Sequence, residues 1–181
     1  MTQNLRVKSS EFIDETNRIS FKFDGKTYYG FKGDTLASAL IANNVHLVGR
    51  SFKYHRPRGI MTSGSEEPNA IVQVNPNSNI TEPNARATEI EIYEGLEASS
   101  QNCWPSVNFD IGGINNFLAP LFPAGFYYKT FMWPKSFWEK YEFFIRYSAG
   151  LGKSPTAKDP DIYDHRNCLL YTSDAAATVQ V

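Results

Sequence analysis

Chemistry is densest in the run GRSFKYHRPRG, which sets Arg50, Lys53, Tyr54, His55, Arg56 and Arg58 close together. Clustered guanidinium and ammonium groups form charge-assisted hydrogen bonds with anions. Pro57 stiffens the run, and Tyr54 offers a ring for stacking. Two uses fit: contact with a dinucleotide or flavin phosphate held by a neighbouring domain, or an inter-domain strip of salt bridges and cation–π contacts. The second is preferred. No other basic surface or nucleic-acid motif accompanies the run, so nucleic acid is not an expected partner. Histidine suits proton transfer near neutral pH, but the sequence places no nucleophile or orienting carboxylate beside His55, which is read as structural. Glu66 and Glu67 are adjacent acids in a turn, the pattern of a solvated loop. His46 and His165 stand alone without metal-ligand spacing. Cys103 and Cys168 are too few and too scattered for a disulfide framework or a cysteine-rich metal site.

These groups need a scaffold. ISFKFDGKTYYGF predicts a hairpin: Ile19, Phe21 and Phe23 alternate with polar partners, Asp24-Gly25 tolerates positive φ, and Tyr28 to Phe31 returns. GDTLASALIANNV predicts a short helix with Asp34 as N-cap, an apolar stripe of Leu36, Ala37, Leu40 and Ile41, and an end at Asn43 or Asn44. AIVQV and ATEIEIY have strand character, the second through alternation of Ile90 and Ile92 with Glu89 and Glu91. NPNSNITEPN between them is a turn-rich, exposed connection. Hairpin, crossing helix and further strands is the order of an α+β, β-grasp domain, a mixed sheet wrapped on one helix. It is assigned to residues 1–97.

Residues 98–167 differ in character. Proline-broken, aromatic turns lead to a short helix near Phe137 to Ser148. Each large ring left in water forfeits roughly 1.5–3 kcal/mol of burial, and the small β-grasp core offers limited area. The segment therefore reads as an arm that docks on other domains or subunits.

A chain of 181 residues holds one well-buried domain with an appendage. Its net charge of -1 and pI near 6.3 create no global field for nucleic acid or an anionic membrane. MTQNLRVKSSEFIDETNR lacks the apolar core of a secretory signal, and a reducing cytoplasm is expected. The uncharged run IGGINNFLAPLFPAGFYY is broken by Asn115, Asn116, glycines and prolines, whereas a spanning helix needs about 20 predominantly apolar residues. No membrane partner is expected.

The blocks GRSFKYHRPRG, SGSEEPNA, RATEIEIYEGLEA and FPAGFYYKTFMWP resemble the opening region of the α subunits of heterotetrameric sarcosine oxidases, from the first hairpin to about Asn167. Enzymes with the same opening domain, the cyanide-forming glycine oxidases and opine or proline dehydrogenases, carry there a plant-ferredoxin-like [2Fe–2S] module ligated in a C-x4-C-x2-C…C pattern. Laid after Gly59, that pattern puts its ligand positions on Thr62, Glu67, Ala70 and, before Ile90 and Ile92, on Thr88. None is cysteine. Hydroxyls, a lone carboxylate and a methyl group hold sulfide-bridged iron poorly, so the resemblance implies a cluster cradle that binds no cluster.

The resemblance further implies a flavoenzyme complex that oxidises sarcosine to glycine with O2, using FAD, a covalently held FMN, NAD and tetrahydrofolate. This chain itself would hold no cofactor, no metal and no catalytic residue, and its partners would be the remainder of the α chain and the other subunits. A dinucleotide-binding domain and a folate-binding domain would follow. Where an apolar strand opening into G-x-G-x-x-G is expected, the chain reads CLLYTSDAAATVQV, so residues 168–181 are taken as a non-native tail. Two other classes stay open: a [2Fe–2S] electron-transfer module of an amino-acid or opine dehydrogenase, and a freestanding ubiquitin-like binding module.

Overall fold

A computed structural model describes residues 3, 5–7, 12–75, 79–121, 133–148, 152–158 and 162. Strands β1 (Asp14–Phe23) and β2 (Lys26–Lys32) form the expected hairpin. Asp24 and Gly25 both take positive φ, 49° and 75°, which matches the tight turn to the right-handed twist of the strands. Phe21 and Phe23 are buried, and the Phe21 ring stacks on its cross-strand partner Tyr28 at 6.0 Å between centroids. Helix α1 (Leu36–Ala42) follows and buries Leu36, Ala37, Ala39, Leu40 and Ala42. Ile41, expected in the stripe, is only half-buried, and Ala39 takes its place.

The N-cap of α1 is Thr35, whose hydroxyl accepts from Ser38 N at 3.1 Å. Asp34, the expected cap, stands one residue before it. Its buried carboxylate accepts from Arg6 Nη1 and Nη2 (3.0 and 2.5 Å), from Phe31 N (2.9 Å) and from Ser38 Oγ (2.8 Å). A charge this deep needs a partner charge and saturated hydrogen bonds, and Asp34 gets both by joining the hairpin to the helix.

The remaining strands of the sheet are β5 (Ile71–Val74), β6 (Glu82–Arg86) and β7 (Leu96–Ser100); a separate two-stranded ribbon pairs β3 (Gly49–Arg50) with β4 (Pro57–Arg58). The sheet order is β2-β1-β7-β5-β6, with β1 and β7 parallel and the other pairs antiparallel. A mixed sheet with α1 packed into one core of Phe21, Leu36, Leu40, Val48, Val72, Leu96 and their neighbours is the α+β, β-grasp fold.

Two elements depart from expectation. ATEIEIY is not a strand of the sheet: residues 87–89 form a turn, and the stretch beyond it runs along the start of α1. There Leu36 N donates to Ile90 O (2.7 Å), Ala37 N to Ala87 O (2.9 Å) and Ile92 N to Asp34 O (3.0 Å). The Ile-in, Glu-out alternation survives, but the carbonyls satisfy the open N–H groups of a helix end. Conversely, β6 lies inside and just beyond the stretch expected to be exposed turn. Pro83 and Asn84 disguised it. It is an edge strand, where proline is tolerated, and its register with β5 shifts between Val72 and Val74.

Beyond Ser100 the chain makes 3-10 turns at Ile111–Asn116, Ala119–Leu121 and Lys135–Phe137, the last leading into α2 (Trp138–Ser148), the helix expected there. Phe137 at the end of that turn and Trp138 and Phe143 on the helix are exposed. Residues 152 and 153 return to the sheet: Gln73 Nε2 donates to Lys153 O (2.7 Å), Lys153 N to Gln73 Oε1 (2.8 Å), and Gly152 N to Asn84 Oδ1 (3.1 Å). A Cβ on Gly152 would sit 2.3 Å from Gln101 Nε2 and 2.5 Å from Pro83 Cβ, so this approach requires glycine. Among the described residues no helix is long and apolar enough to cross a membrane. His165, Cys168 and the tail 168–181 lie outside the described residues.

Candidate functional site

The loop between β4 and β5 closes on a carboxylate. Glu67 is 1% exposed, and its Oε2 accepts from Met61 N (2.8 Å), Thr62 N (2.6 Å) and Thr62 Oγ1 (3.3 Å). Its Oε1 accepts from Asn69 N (2.8 Å) and Ala70 N (3.2 Å). Burial opposes ionisation, but the N–H groups of Thr62, Asn69, Met61 and Ala70 outweigh it and hold the carboxyl below the ordinary range. The expectation of a solvated acidic pair is therefore corrected for one member. Glu66 is in water; Glu67 is inside, because the turn folds its own backbone donors around it.

Thr62, Glu67, Ala70 and Thr88 meet around this loop. Thr88, 7% exposed, donates from Oγ1 to Gly64 O at 2.6 Å and so ties the loop's tip to the turn after β6. Ala70 is fully buried, and Ala87 N donates to its carbonyl at 2.9 Å, which continues the chain of bonds to the first turn of α1. Gly59 lets the loop leave β4 against the backbone, since a Cβ there would lie 2.6 Å from His46 O. The four side chains present two hydroxyls, one carboxylate and one methyl. That set does not fit a sulfide-bridged iron cluster, which needs thiolates or imidazoles. Among the described residues no group of three or more His, Cys, Asp or Glu could hold a metal ion. Cys103 is half-buried with Sγ 3.4 Å from Ser100 Oγ, and burial pushes its thiol up, which keeps it protonated.

The basic-aromatic run is engaged within the chain. Arg50 donates from Nε to Val107 O (2.8 Å) and from Nη1 to His55 O (3.2 Å). Arg56 Nε donates to Asn116 Oδ1 at 3.1 Å, and its guanidinium lies 4.9 Å from the centre of the Tyr54 ring. Lys53 Nζ approaches that ring at 5.0 Å. Arg58 is exposed and borders, with Arg50, Phe52, Asn69 and Asn102, a cavity of about 280 Å³.

His55 does have an orienting carboxylate, contrary to the sequence reading. Asp110 Oδ2 lies 2.6 Å from its Nδ1, and Asp110 Oδ1 accepts from Trp104 N (3.0 Å) and Gly112 N (3.1 Å). The His55 ring packs on Gly112, where a Cβ would come within 2.3 Å of ring atoms. No local spacing could have revealed the pair, since 55 positions separate its members. The arrangement pins residues 104–116 to the β3–β4 ribbon. The contact the structure gives His55 is therefore one that fixes the segment carrying Asp110.

Residues 16–103 match the model of the 2Fe-2S iron-sulfur cluster binding domain family. The chain is 58% identical over 176 residues to the sarcosine oxidase subunit alpha of Rhizobium meliloti (strain 1021), an alignment covering 96% of this chain and 18% of that protein. It is 37% identical over 89 residues to the sarcosine oxidase subunit alpha of Corynebacterium sp. (strain U-96), covering 48% of this chain and 9% of that protein. A crystal structure of L-proline dehydrogenase from P. horikoshii matches with a TM-score of 0.39 and 24% identity over 51% of this chain and 16% of that one. The chain thus spans less than a fifth of the length of the curated relatives it matches. With 58% identity along nearly its whole length, the chain is similar to a portion of a sarcosine oxidase alpha subunit, and residues 16–103 form its 2Fe-2S-type domain.

Proposed function

We infer that this chain is a cluster-free structural module of a sarcosine oxidase α subunit. The complete complex would oxidise sarcosine to glycine with O2, with FAD, FMN, NAD and tetrahydrofolate held by domains and subunits beyond these residues. The single observation that carries the reading is the side-chain set at the cluster positions: Thr62, Glu67, Ala70 and Thr88 surround one loop of a 2Fe-2S-type domain and offer no sulfur.

Its role is then to cover and orient the cofactor-bearing parts. Exposed Trp104, Phe109, Ile114, Phe117, Trp133 and Phe143 supply an apolar face for the rest of the α chain and the other subunits. Arg50, His55 and Arg56 hold residues 104–116 in place, which supports an inter-domain strip over a phosphate site for the run that also contains Lys53, Tyr54 and Arg58. A cytoplasmic location suits such a complex. The electron-transfer alternative lacks thiolates at the site, and the ubiquitin-like alternative is disfavoured by identity to the α subunits along nearly the whole chain. The purified chain incubated with sarcosine should produce no hydrogen peroxide; peroxide formed without added subunits would contradict the proposal.

A further inference from the structure

The Glu67 carboxylate gathers donors from both ends of one loop, Met61 and Thr62 on one oxygen and Asn69 and Ala70 on the other. Backbone N–H groups that converge from irregular backbone form a nest for an anion. Without an anion these donors would lose their acceptor in a part-buried loop, which is costly. In a cysteine-ligated cluster the metal core and its thiolates supply the negative charge, and loop N–H groups bond the sulfurs. Here the residues at those positions are put to other uses. Glu67 is the anion, Thr62 and Ala70 present N–H donors to it, and Thr88 holds the loop's tip through the Gly64 carbonyl.

We propose that the Met61–Ala70 loop is an anion nest whose resident anion is the Glu67 carboxylate, which replaces an iron–sulfur cluster as the charge that organises the loop. The nest stands on the hydrogen bonds alone; the replacement rests on Thr62, Glu67, Ala70 and Thr88 being former ligand positions, as inferred for the function. The nest selects small, planar, singly charged oxyanions. Removal of the Glu67 side chain leaves a site for formate or acetate.

The test uses the full 181-residue chain. In Glu67→Gln, which keeps shape and loses charge, amide exchange at Met61, Thr62, Asn69 and Ala70 should quicken by at least about tenfold, the size expected for losing charge-assisted bonds. In Glu67→Ala, sodium formate should slow exchange at the same amides and raise the melting temperature, while the unsubstituted chain should show neither response. Unchanged protection in Glu67→Gln overturns the nest, even where Glu67→Ala fails to fold. The replacement has its own arm. The variant with cysteine at 62, 67, 70 and 88, reconstituted with iron and sulfide, should gain the visible absorbance of a [2Fe–2S] centre, and the variant that retains Glu67 with the other three cysteines should not. A colourless four-cysteine variant beside a positive formate response removes the replacement and leaves the nest standing.

Discussion

A buried carboxylate is costly unless its lone pairs are filled, and Glu67 fills them with backbone N–H groups. That makes it a titratable anchor with a definite sign. Its carboxyl lies below the ordinary 4.5 in the folded chain, so its contribution is complete above that pH and fades as pH falls through the depressed folded value. Glu67→Gln should therefore lower stability by about 1.5–3 kcal/mol at neutral pH, the range for hydrogen bonds to a charged group. The gap between the two unfolding curves should close in acid. Denaturant melts across pH would check this, and a gap that stays constant into acid would assign the loss to shape rather than charge. The burial of Glu67 was not legible in the sequence. Two adjacent acids in a polar turn look alike on paper; only the path of the backbone decides which one meets four N–H groups.

At the scale of elements, regular period was readable and exchanged partners were not. The β1–β2 hairpin and α1 follow from alternation, a turn pair and an apolar stripe, all local signals. Strand β6 was hidden because Pro83 and Asn84 carry turn signals, while ATEIEIY carries a strand's alternation yet spends its backbone on the helix end. The pairing of His55 with Asp110 is of the same kind, a contact set by topology. It joins the β3–β4 ribbon to the segment 104–116, with the Asp110 side chain 1% exposed and both of its oxygens engaged. Asp110→Asn should loosen that segment at a cost of about 1–3 kcal/mol, the penalty for leaving buried partners unsatisfied. Amide exchange at Trp104 and Gly112 should rise while the α1 amides keep their protection. Uniform loss of protection across the sheet would instead make Asp110 part of the global core.

For the whole molecule, one β-grasp core and an aromatic appendage is what chain length and composition lead one to expect, since burial on this scale supports a single core. What no composition reveals is how much of the appendage belongs to this core. Residues 104–116 and 152–153 are tied to it by named bonds, whereas Phe117, Trp133 and Phe143 remain exposed. The central claim, that the domain has kept a cluster's loop and replaced its chemistry, meets its most direct test in metal analysis. Iron and acid-labile sulfide should both be absent from the chain purified anaerobically from iron-replete cells. Two irons and two sulfides per chain, with the visible absorbance of a [2Fe–2S] centre, would contradict the account.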